Sequence, residues 1–260
     1  MDLGLFGKAA LVTASSRGIG RACAIALARE GVRVLVCARG ADGVNELIEE
    51  LGGRAEGHAG IVLDLCEQDA PEKLVGRLAS DFGHVDIVVH SLGGTLSVRD
   101  TFASTGDWRR VWRLNFEVAL ELNNLLIPPM RERGWGRIIA ISSVAAVEHQ
   151  ASASYSVVKA ALTAYGRVLG RELASSGVVA CVVVPGTVLT DGGVWDVRRR
   201  DDPAAVERYI AERLPAGEFQ TPEQIADTVT FLASERASPF SGSTVFADGG
   251  QGRSFFSLPS

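Results

Sequence analysis

Short apolar runs alternate with longer amphipathic segments along most of the chain. The runs are rich in Val, Ile and Leu, as expected for strands of a parallel sheet that helices cover on both faces. The pattern predicts seven strands, at Ala9–Thr13, Arg33–Cys37, Gly60–Leu63, Val85–His90, Arg137–Ser142, Val178–Val184 and Ser243–Ala247. It predicts helices at Ile19–Glu30, Val44–Leu51, Ala70–Phe82, Asp107–Leu126, Ser154–Ser175 and Pro222–Ser234. This order indicates an α/β, doubly wound Rossmann fold with a mainly parallel seven-stranded sheet.

The domain organisation follows from the absence of repeats, linkers and low-complexity segments, which predicts one domain at 1–260. The longest stretch without clear periodicity runs from Pro185 to about Gly217 and contains the charge run Arg198–Asp202. Long irregular segments in compact proteins are usually functional. Aromatic residues lie in or beside this stretch, at Trp195, Tyr209 and Phe219. They favour a substrate lid at 187–218 over a solvated insertion.

Composition and charge narrow the class of protein. The 47% hydrophobic and 22% charged residues are typical of globular proteins, and the net charge of −5 argues against nucleic acid as a partner. No apolar run approaches the ~20 residues of a membrane span, and the first residues predict no secretion signal. The cysteines form no CxxC pair and predict neither a metal site nor a disulfide framework. We therefore expect a cytoplasmic protein without a metal or a membrane partner.

A Gly-rich turn follows the first predicted strand and leads directly into the first helix. It comprises Thr13, Ala14, Ser15, Ser16, Arg17, Gly18, Ile19 and Gly20. The N-terminus of a helix offers free backbone N–H groups and a partial positive charge, so it attracts a pyrophosphate. Gly18 and Gly20 let the backbone approach such a ligand and pack the helix close to the sheet. The position of the turn predicts a dinucleotide-binding site.

The second chemical feature is the pair Tyr155 and Lys159 at the start of a long predicted helix. Residues four apart share one helix face, so the phenol and the ammonium group can reach the same space. A nearby cation lowers the pKa of a tyrosine from its usual value of about 10, as proton transfer near neutral pH requires. A Tyr–Lys pair that merely packs on a helix is the alternative interpretation.

Together these motifs resemble the short-chain dehydrogenase/reductase family in its single-domain form, and the resemblance extends from Lys8 to Gly250. Residues 13–20 fit the family fingerprint T-G-x-x-x-G-x-G, except that Ala14 replaces the first glycine. We expect Ala14 to keep a negative φ, because Ala is strained at positive φ. His90 stands where the family has an asparagine. It either stabilises the sheet by hydrogen bonds or titrates near neutral pH and makes cofactor binding pH-dependent.

The resemblance implies four catalytic residues, Asn115, Ser143, Tyr155 and Lys159. The sequence around the serine matches the family with Ser143 in the catalytic place, whereas the usual spacing of thirteen residues before Tyr155 favours Ser142, which stays the alternative. In the implied mechanism Ser143 hydrogen-bonds a carbonyl and Tyr155 donates a proton to it. Lys159 lowers the pKa of Tyr155 and binds the nicotinamide ribose, and Asn115 holds a water molecule.

The cofactor is predicted from the end of the second strand, which lacks the acidic residue that binds the ribose 2′-OH in NAD enzymes. Arg39 and Arg17 suit a 2′-phosphate, which predicts NADP(H) unless both are merely surface arginines. The resemblance implies further cofactor contacts. These are Asp64, Leu65, His90, Gly93, Tyr155, Lys159, Pro185, Gly186, Val188 and Thr190.

The predicted function is NADP(H)-dependent reduction of a ketone of 3-oxoacyl or secondary-metabolite type to a secondary alcohol. Sugars, steroids, polycyclic alcohols and small free ketones are alternative substrates, and a non-catalytic NADP(H) sensor or scaffold is the alternative of another class. The resemblance also implies a homotetramer. Four arginines could dock an acidic carrier protein or simply be solvated, namely Arg131, Arg133, Arg167 and Arg171.

Overall fold

Seven parallel strands form one sheet in the order β3-β2-β1-β4-β5-β6-β7. They are β1 (Ala9–Thr13), β2 (Arg33–Ala38), β3 (Ala59–Val62), β4 (Ile87–His90), β5 (Gly136–Ile141), β6 (Val178–Pro185) and β7 (Thr244–Ala247). The computed structural model describes residues 1–148 and 151–253. Residues 149–150 and 254–260 of the predicted domain therefore lie outside the described residues. The topology confirms the predicted doubly wound α/β class.

Nine α-helices connect or flank the strands within the described ranges. They are α1 (Gly18–Arg29), α2 (Ala41–Glu50), α3 (Ala70–Phe82), α4 (Thr105–Trp112), α5 (Val118–Arg133), α6 (Ala153–Leu173), α7 (Val194–Asp201), α8 (Pro203–Arg213) and α9 (Pro222–Ala233). The apolar residues of α1, α2 and α9 pack on one face of the sheet, and those of α3, α5 and α6 pack on the other.

The two apolar cores explain why the strands are almost continuously apolar. Ala10 and Val12 of β1 belong to the core under α1 and α9, whereas Ala9 and Leu11 belong to the core under α3 and α5. Alternate side chains of a strand point to opposite faces, and both faces are covered here. No helix in the part of the chain that the structure describes is long and apolar enough to cross a membrane.

One long predicted helix, at Asp107–Leu126, is wrong in its extent. The structure divides it into α4, a π-helical turn at Arg113–Glu117, and α5, which continues to Arg133. The amide N–H of Val118 donates to the carbonyl of Arg113, five residues earlier. The helix passes through two prolines and ends at Gly134, whose φ of 69° is left-handed.

The stretch predicted to lack periodicity contains α7 and α8. Asp196 pairs with Arg199 at 3.4 Å and with Arg200 at 2.7 Å, one turn along α7. Asp202 caps α8 by accepting a hydrogen bond from Ala205 N, and Pro203 occupies the first turn. Apolar periodicity could not reveal these helices, since α7 has no buried residue and α8 has only Val206.

Candidate active site

A cleft of about 760 Å³ opens at the carboxyl ends of the strands, around β1 and β4 where the strand order reverses. Ligands of open α/β sheets bind at such switch points. Arg39 and Asp64, which follow β2 and β3, line the cleft on one side of β1. Ser143, which follows β5, and Tyr155, at the start of α6, line it on the other side of β1. The sheet therefore brings most of the predicted cofactor residues into one cleft with Ser143, Tyr155 and Lys159.

Some residues of the Gly-rich turn line this cleft, and others are buried behind them. Six of its residues line the cleft, namely Ala14, Ser16, Arg17, Gly18, Ile19 and Gly20. Thr13 and Ser15 are buried behind them. The Thr13 hydroxyl accepts hydrogen bonds from Ser91 N (3.0 Å) and Leu92 N (3.1 Å), and Ser15 Oγ accepts from Cys37 N (3.0 Å). The two side chains therefore tie the turn to β4 and β2 and do not form the wall of the cleft.

Ala14 contradicts the expectation of a negative φ, because its φ is +52°. The turn needs a left-handed residue there, and an Ala in that conformation costs roughly 1–2 kcal/mol. The neighbourhood holds it in place: Ser15 N donates to Cys37 O at 3.1 Å. A Cβ on Gly20 would lie 2.6 Å from the Ala14 carbonyl oxygen, so the turn also requires glycine at that position.

Arg39 and Asp64 lie opposite each other in the part of the cleft beside β2 and β3. Arg39 Nη1 is 3.7 Å from Asp64 Oδ2, with 69% and 39% of the two side chains exposed. An ion pair this exposed contributes little to stability, so both groups stay available to a ligand. Leu65 also lines the cleft here and is itself buried.

Ser143 and Tyr155, two of the predicted catalytic residues, both line the cleft. The Ser143 hydroxyl lies close enough to the Tyr155 phenol to lower its pKa, and Ser143 Oγ accepts a hydrogen bond from Ala145 N at 3.1 Å. Ser143 is extended, with φ −168°, at the start of a short 3₁₀ turn that follows β5. The end of β5 therefore presents this hydroxyl to the first turn of α6.

Ser142 has a different environment. Its hydroxyl donates to the Lys159 carbonyl at 3.1 Å and lies 2.7 Å from Thr163 Oγ1. Ser142 is 4% exposed. These bonds hold β5 against α6, whereas the Ser143 hydroxyl lies beside the Tyr155 phenol in the cleft.

The protonation of Tyr155 and Lys159 corrects a sequence expectation. Burial raises the pKa of Tyr155 to about 12, and the neighbouring Ser143 hydroxyl offsets this only partly. Burial also lowers the pKa of Lys159 to about 8. Lys159 Nζ donates to Ile141 O at 2.8 Å and lies 5.7 Å from the centre of the tyrosine ring. The expected lowering of the Tyr155 pKa by Lys159 is absent from this structure, because desolvation is the larger effect.

Asn115 lies in the π-helical turn between α4 and α5 and is 2% exposed. Its amide nitrogen donates to Val111 O (2.8 Å) and Gly94 O (2.9 Å), while Oδ1 accepts from Gly94 N (3.0 Å). A Cβ on Gly93 would lie 2.8 Å from Asn115 Oδ1 and 2.9 Å from Lys159 Nζ. Asn115 and Lys159 therefore converge on the Gly93 backbone, and only glycine fits between them.

His90 is buried at the end of β4 and does not line the cleft. Its Nε2 lies 2.8 Å from Asn123 Oδ1, and Asn123 Nδ2 donates to the Tyr165 hydroxyl at 3.3 Å. Burial lowers the pKa of His90 to about 4. The alternative that His90 titrates near neutral pH is therefore wrong. The geometry instead matches the expected structural role between β4, α5 and α6.

The last residue of β6, Pro185, and the segment after it form another wall of the cleft, with Gly186, Val188 and Thr190 from that segment. Gly186 N donates to Gln220 Oε1 at 3.1 Å, and Leu189 N donates to Gln220 O at 2.9 Å. Both bonds join the segment to Gln220, which lies two residues before the start of α9.

Sequence reasoning missed several lining residues, notably Leu96, Leu114, Asp191 and Gly193. Leu114 could have been found, since it precedes Asn115 and shares its turn. Leu96 has no comparable signal. It lies in a loop where Leu96 and Ser97 adopt φ of 49° and 60°, a backbone course that only the folded loop defines.

Comparison with known proteins agrees with this geometry. A family model described as enoyl-(acyl carrier protein) reductase matches residues 13–251. The 3-oxoacyl-[acyl-carrier-protein] reductase of Salmonella typhimurium is 33% identical over 245 residues, which cover 94% of this chain and 97% of that protein. D-threitol dehydrogenase of Mycolicibacterium smegmatis is 32% identical over 252 residues, 96% of this chain and 94% of that protein.

Among solved structures, L-sorbose reductase from Gluconobacter frateurii, complexed with NADPH and L-sorbose, superposes with a TM-score of 0.89 at 32% identity. The match covers 98% of this chain and 100% of that chain. The sequence and structural matches thus extend over nearly the whole molecule, including the cleft. The chain therefore belongs to the short-chain dehydrogenase/reductase family of oxidoreductases.

Proposed function

We propose that this protein is an NADP(H)-dependent oxidoreductase that reduces a ketone to a secondary alcohol. The observation that carries the proposal is that the hydroxyls of Ser143 and Tyr155 lie together in the same cleft as the Gly-rich turn. A protein that only senses or carries NADP(H) has no need of two hydroxyls at that place. The similar 3-oxoacyl-[acyl-carrier-protein] reductase and L-sorbose reductase support the reaction class.

The cofactor is NADP(H), and the residues of the cleft fit it. The turn from Ser16 to Gly20 would hold the pyrophosphate at the N-terminus of α1. Arg39 would bind the 2′-phosphate, and Gly93 leaves room beside Lys159 for the nicotinamide ribose. The similar L-sorbose reductase is complexed with NADPH. When bound, the reduced nicotinamide supplies a hydride.

The chain's own residues supply binding and proton transfer. The Ser143 and Tyr155 hydroxyls would together bind the ketone oxygen. With a pKa of about 12, Tyr155 is protonated at neutral pH, which is the form that a proton donor needs. With a pKa of about 8, Lys159 is mainly charged at pH 7 and stabilises the negative charge left on the phenol oxygen. Asn115 Oδ1 can accept a second hydrogen bond besides the one from Gly94 N. The water molecule that Asn115 is expected to hold stays a prediction.

The substrate class is tested by following NADPH oxidation with a panel that contains a 3-oxoacyl thioester, a ketose and an oxosteroid. We expect turnover of at least one class, because the cleft joins a proton donor to a cofactor site. Identification of the secondary alcohol by mass spectrometry checks the product. Tight NADPH binding without turnover on the whole panel would favour the sensor alternative, and binding of neither cofactor would refute the proposal.

The choice of cofactor gives a separate prediction for Arg39→Ala. Loss of charge-assisted hydrogen bonds of about 1.5–3 kcal/mol should weaken NADPH binding roughly 10- to 100-fold and leave NADH binding nearly unchanged. Fluorescence titration measures both dissociation constants. Arg21→Ala is the matched control, because Arg21 pairs with Glu50 outside the cleft. An equal loss of NADPH and NADH affinity would mean that Arg39 does not bind the 2′-phosphate.

Four further expectations stay predictions: the homotetramer, the acidic carrier protein, the cytoplasmic location and the lid. The homotetramer has support from exposed apolar side chains on α5 and α6, where Leu125, Val157 and Val168 are 36%, 50% and 60% exposed. Apolar side chains grouped on long helices favour an interface.

A further inference from the structure

A closed set of three hydrogen bonds joins α8 to the segment that follows β6. Thr187 Oγ1 lies 2.8 Å from the Tyr209 hydroxyl. Gln251 Nε2 donates to the same hydroxyl at 3.1 Å, and Gln251 Oε1 accepts from Thr187 N at 2.7 Å. Tyr209 is the member of this set that belongs to α8.

Two of the three partners, Thr187 and Gln251, are buried and so poorly placed to exchange these bonds for bonds to water. Thr187 is 9% exposed and Gln251 is 3% exposed. The Tyr209 oxygen accepts a hydrogen bond from Gln251. In the bond between Tyr209 and Thr187, either hydroxyl can be the donor. Removal of the phenol oxygen would leave buried polar groups without that partner, which costs more than an exposed bond would.

The ring of Tyr209 makes a second connection, to α7. It lies 4.0 Å from the Trp195 ring, and Trp195 lies 5.4 Å from Phe219. We call α7 and α8 the helical pair. The ring of Tyr209 therefore holds the helical pair together, while its hydroxyl holds the pair against Thr187.

Thr187 is next to residues that form the cleft. Gly186 and Val188 line the cleft on either side of it. A displacement of Thr187 would consequently move this wall. The Tyr209 hydroxyl acts on the cleft through Thr187, without lining the cleft itself.

We propose that Tyr209 is a positioning residue whose hydroxyl fixes the helical pair against the 186–188 wall of the cleft. The consequence for ketone binding rests on the proposed function, whereas the position of the helical pair does not. Tyr209→Phe separates the two connections of this side chain, since it keeps the ring on Trp195 and removes only the hydroxyl.

Limited trypsin digestion tests the position of the helical pair in the full-length protein. The exposed Arg198, Arg199 and Arg200 of α7 supply the cleavage sites. In Tyr209→Phe we expect cleavage there about 5- to 10-fold faster than in the wild type, because loss of a bond worth about 1 kcal/mol raises the open population by that factor. Mass spectrometry of the fragments identifies the cut.

Tyr165→Phe is the matched control, since it also removes a phenol oxygen that accepts a hydrogen bond, from Asn123 at 3.3 Å. Its cleavage rate at α7 should equal that of the wild type. Circular dichroism of both variants verifies that they are folded. An unchanged cleavage rate in Tyr209→Phe would overturn the proposal, whatever the protein reduces.

Kinetics tests the consequence for the cleft. We expect kcat/KM for a ketone to fall about 5- to 10-fold in Tyr209→Phe, mainly through KM, with NADPH affinity changed less than about 2-fold. Thr187→Val should add little to the loss in the double variant, because both changes remove the same bond. Fully additive losses would contradict the role of the bond. Faster digestion without any NADPH binding would reject the proposed function and keep the positioning role.

Discussion

Tyr155→Phe is expected to lower kcat for ketone reduction about 1,000-fold while NADPH affinity changes less than about 3-fold. General acid catalysis by a positioned side chain is typically worth 10²–10⁴-fold, and phenylalanine keeps the ring but has no proton to donate. Tyr155 is half-buried, and its phenol lies beside the Ser143 hydroxyl in the cleft. Single-turnover rates with saturating NADPH measure the chemical step, and fluorescence titration measures cofactor affinity.

The control for this variant is again Tyr165→Phe, which removes a hydroxyl outside the cleft. It should retain nearly full activity. Retention of more than a tenth of the wild-type rate in Tyr155→Phe would exclude Tyr155 as the proton donor. The reaction would then need another acid in the cleft, and the Ser143 hydroxyl would be the first to examine.

Acidification should destabilise the wild type more than a variant that lacks the buried imidazole. Burial lowers the pKa of His90 from the usual 6.5 to about 4. Between these values the unfolded chain binds a proton that the folded chain excludes, so stability falls as the pH falls. The contribution is fully present above pH 6.5 and is lost as the pH approaches 4. The shift corresponds to about 3 kcal/mol at 1.36 kcal/mol for each pH unit.

Urea unfolding of the wild type and of His90→Asn at several pH values between 4 and 7 measures this difference. The free energy of unfolding of the wild type should decline by about 3 kcal/mol more than that of the variant over this range. Asparagine is the residue that the family resemblance expects there, and it can keep a hydrogen bond to Asn123. His90→Gln serves as a second neutral replacement. Parallel pH profiles would show that the folded protein accommodates a charged His90.

The sequence by itself determined the sheet, the Gly-rich turn and the shared face of Tyr155 and Lys159. These features depend on the spacing of residues that are close together in the sequence, and this spacing is the same in any fold of the chain. Helix α3 is an example, since the predicted range Ala70–Phe82 equals the observed one. Pro71 suits its first turn, and Gly83 ends it with a φ of 76°. Residues four apart share a helix face wherever the helix packs.

Only the tertiary structure decided features that depend on partners distant in the sequence. The positive φ of Ala14 follows from the close packing of α1 against the turn, which the spacing of glycines does not reveal. The pKa of Tyr155 depends on how deeply the phenol is buried, and the sequence expectation counted the charge of Lys159 but not desolvation.

The partners of buried polar groups were likewise decided by the fold. His90 and Asn123 are 33 residues apart, and Tyr209 lies 42 residues before Gln251. Such bonds form because each buried donor and acceptor must find a partner among whatever side chains the packed sheet and helices bring near it. Periodicity predicts that a residue is buried, whereas the partner it meets there is set by the packing of the whole domain.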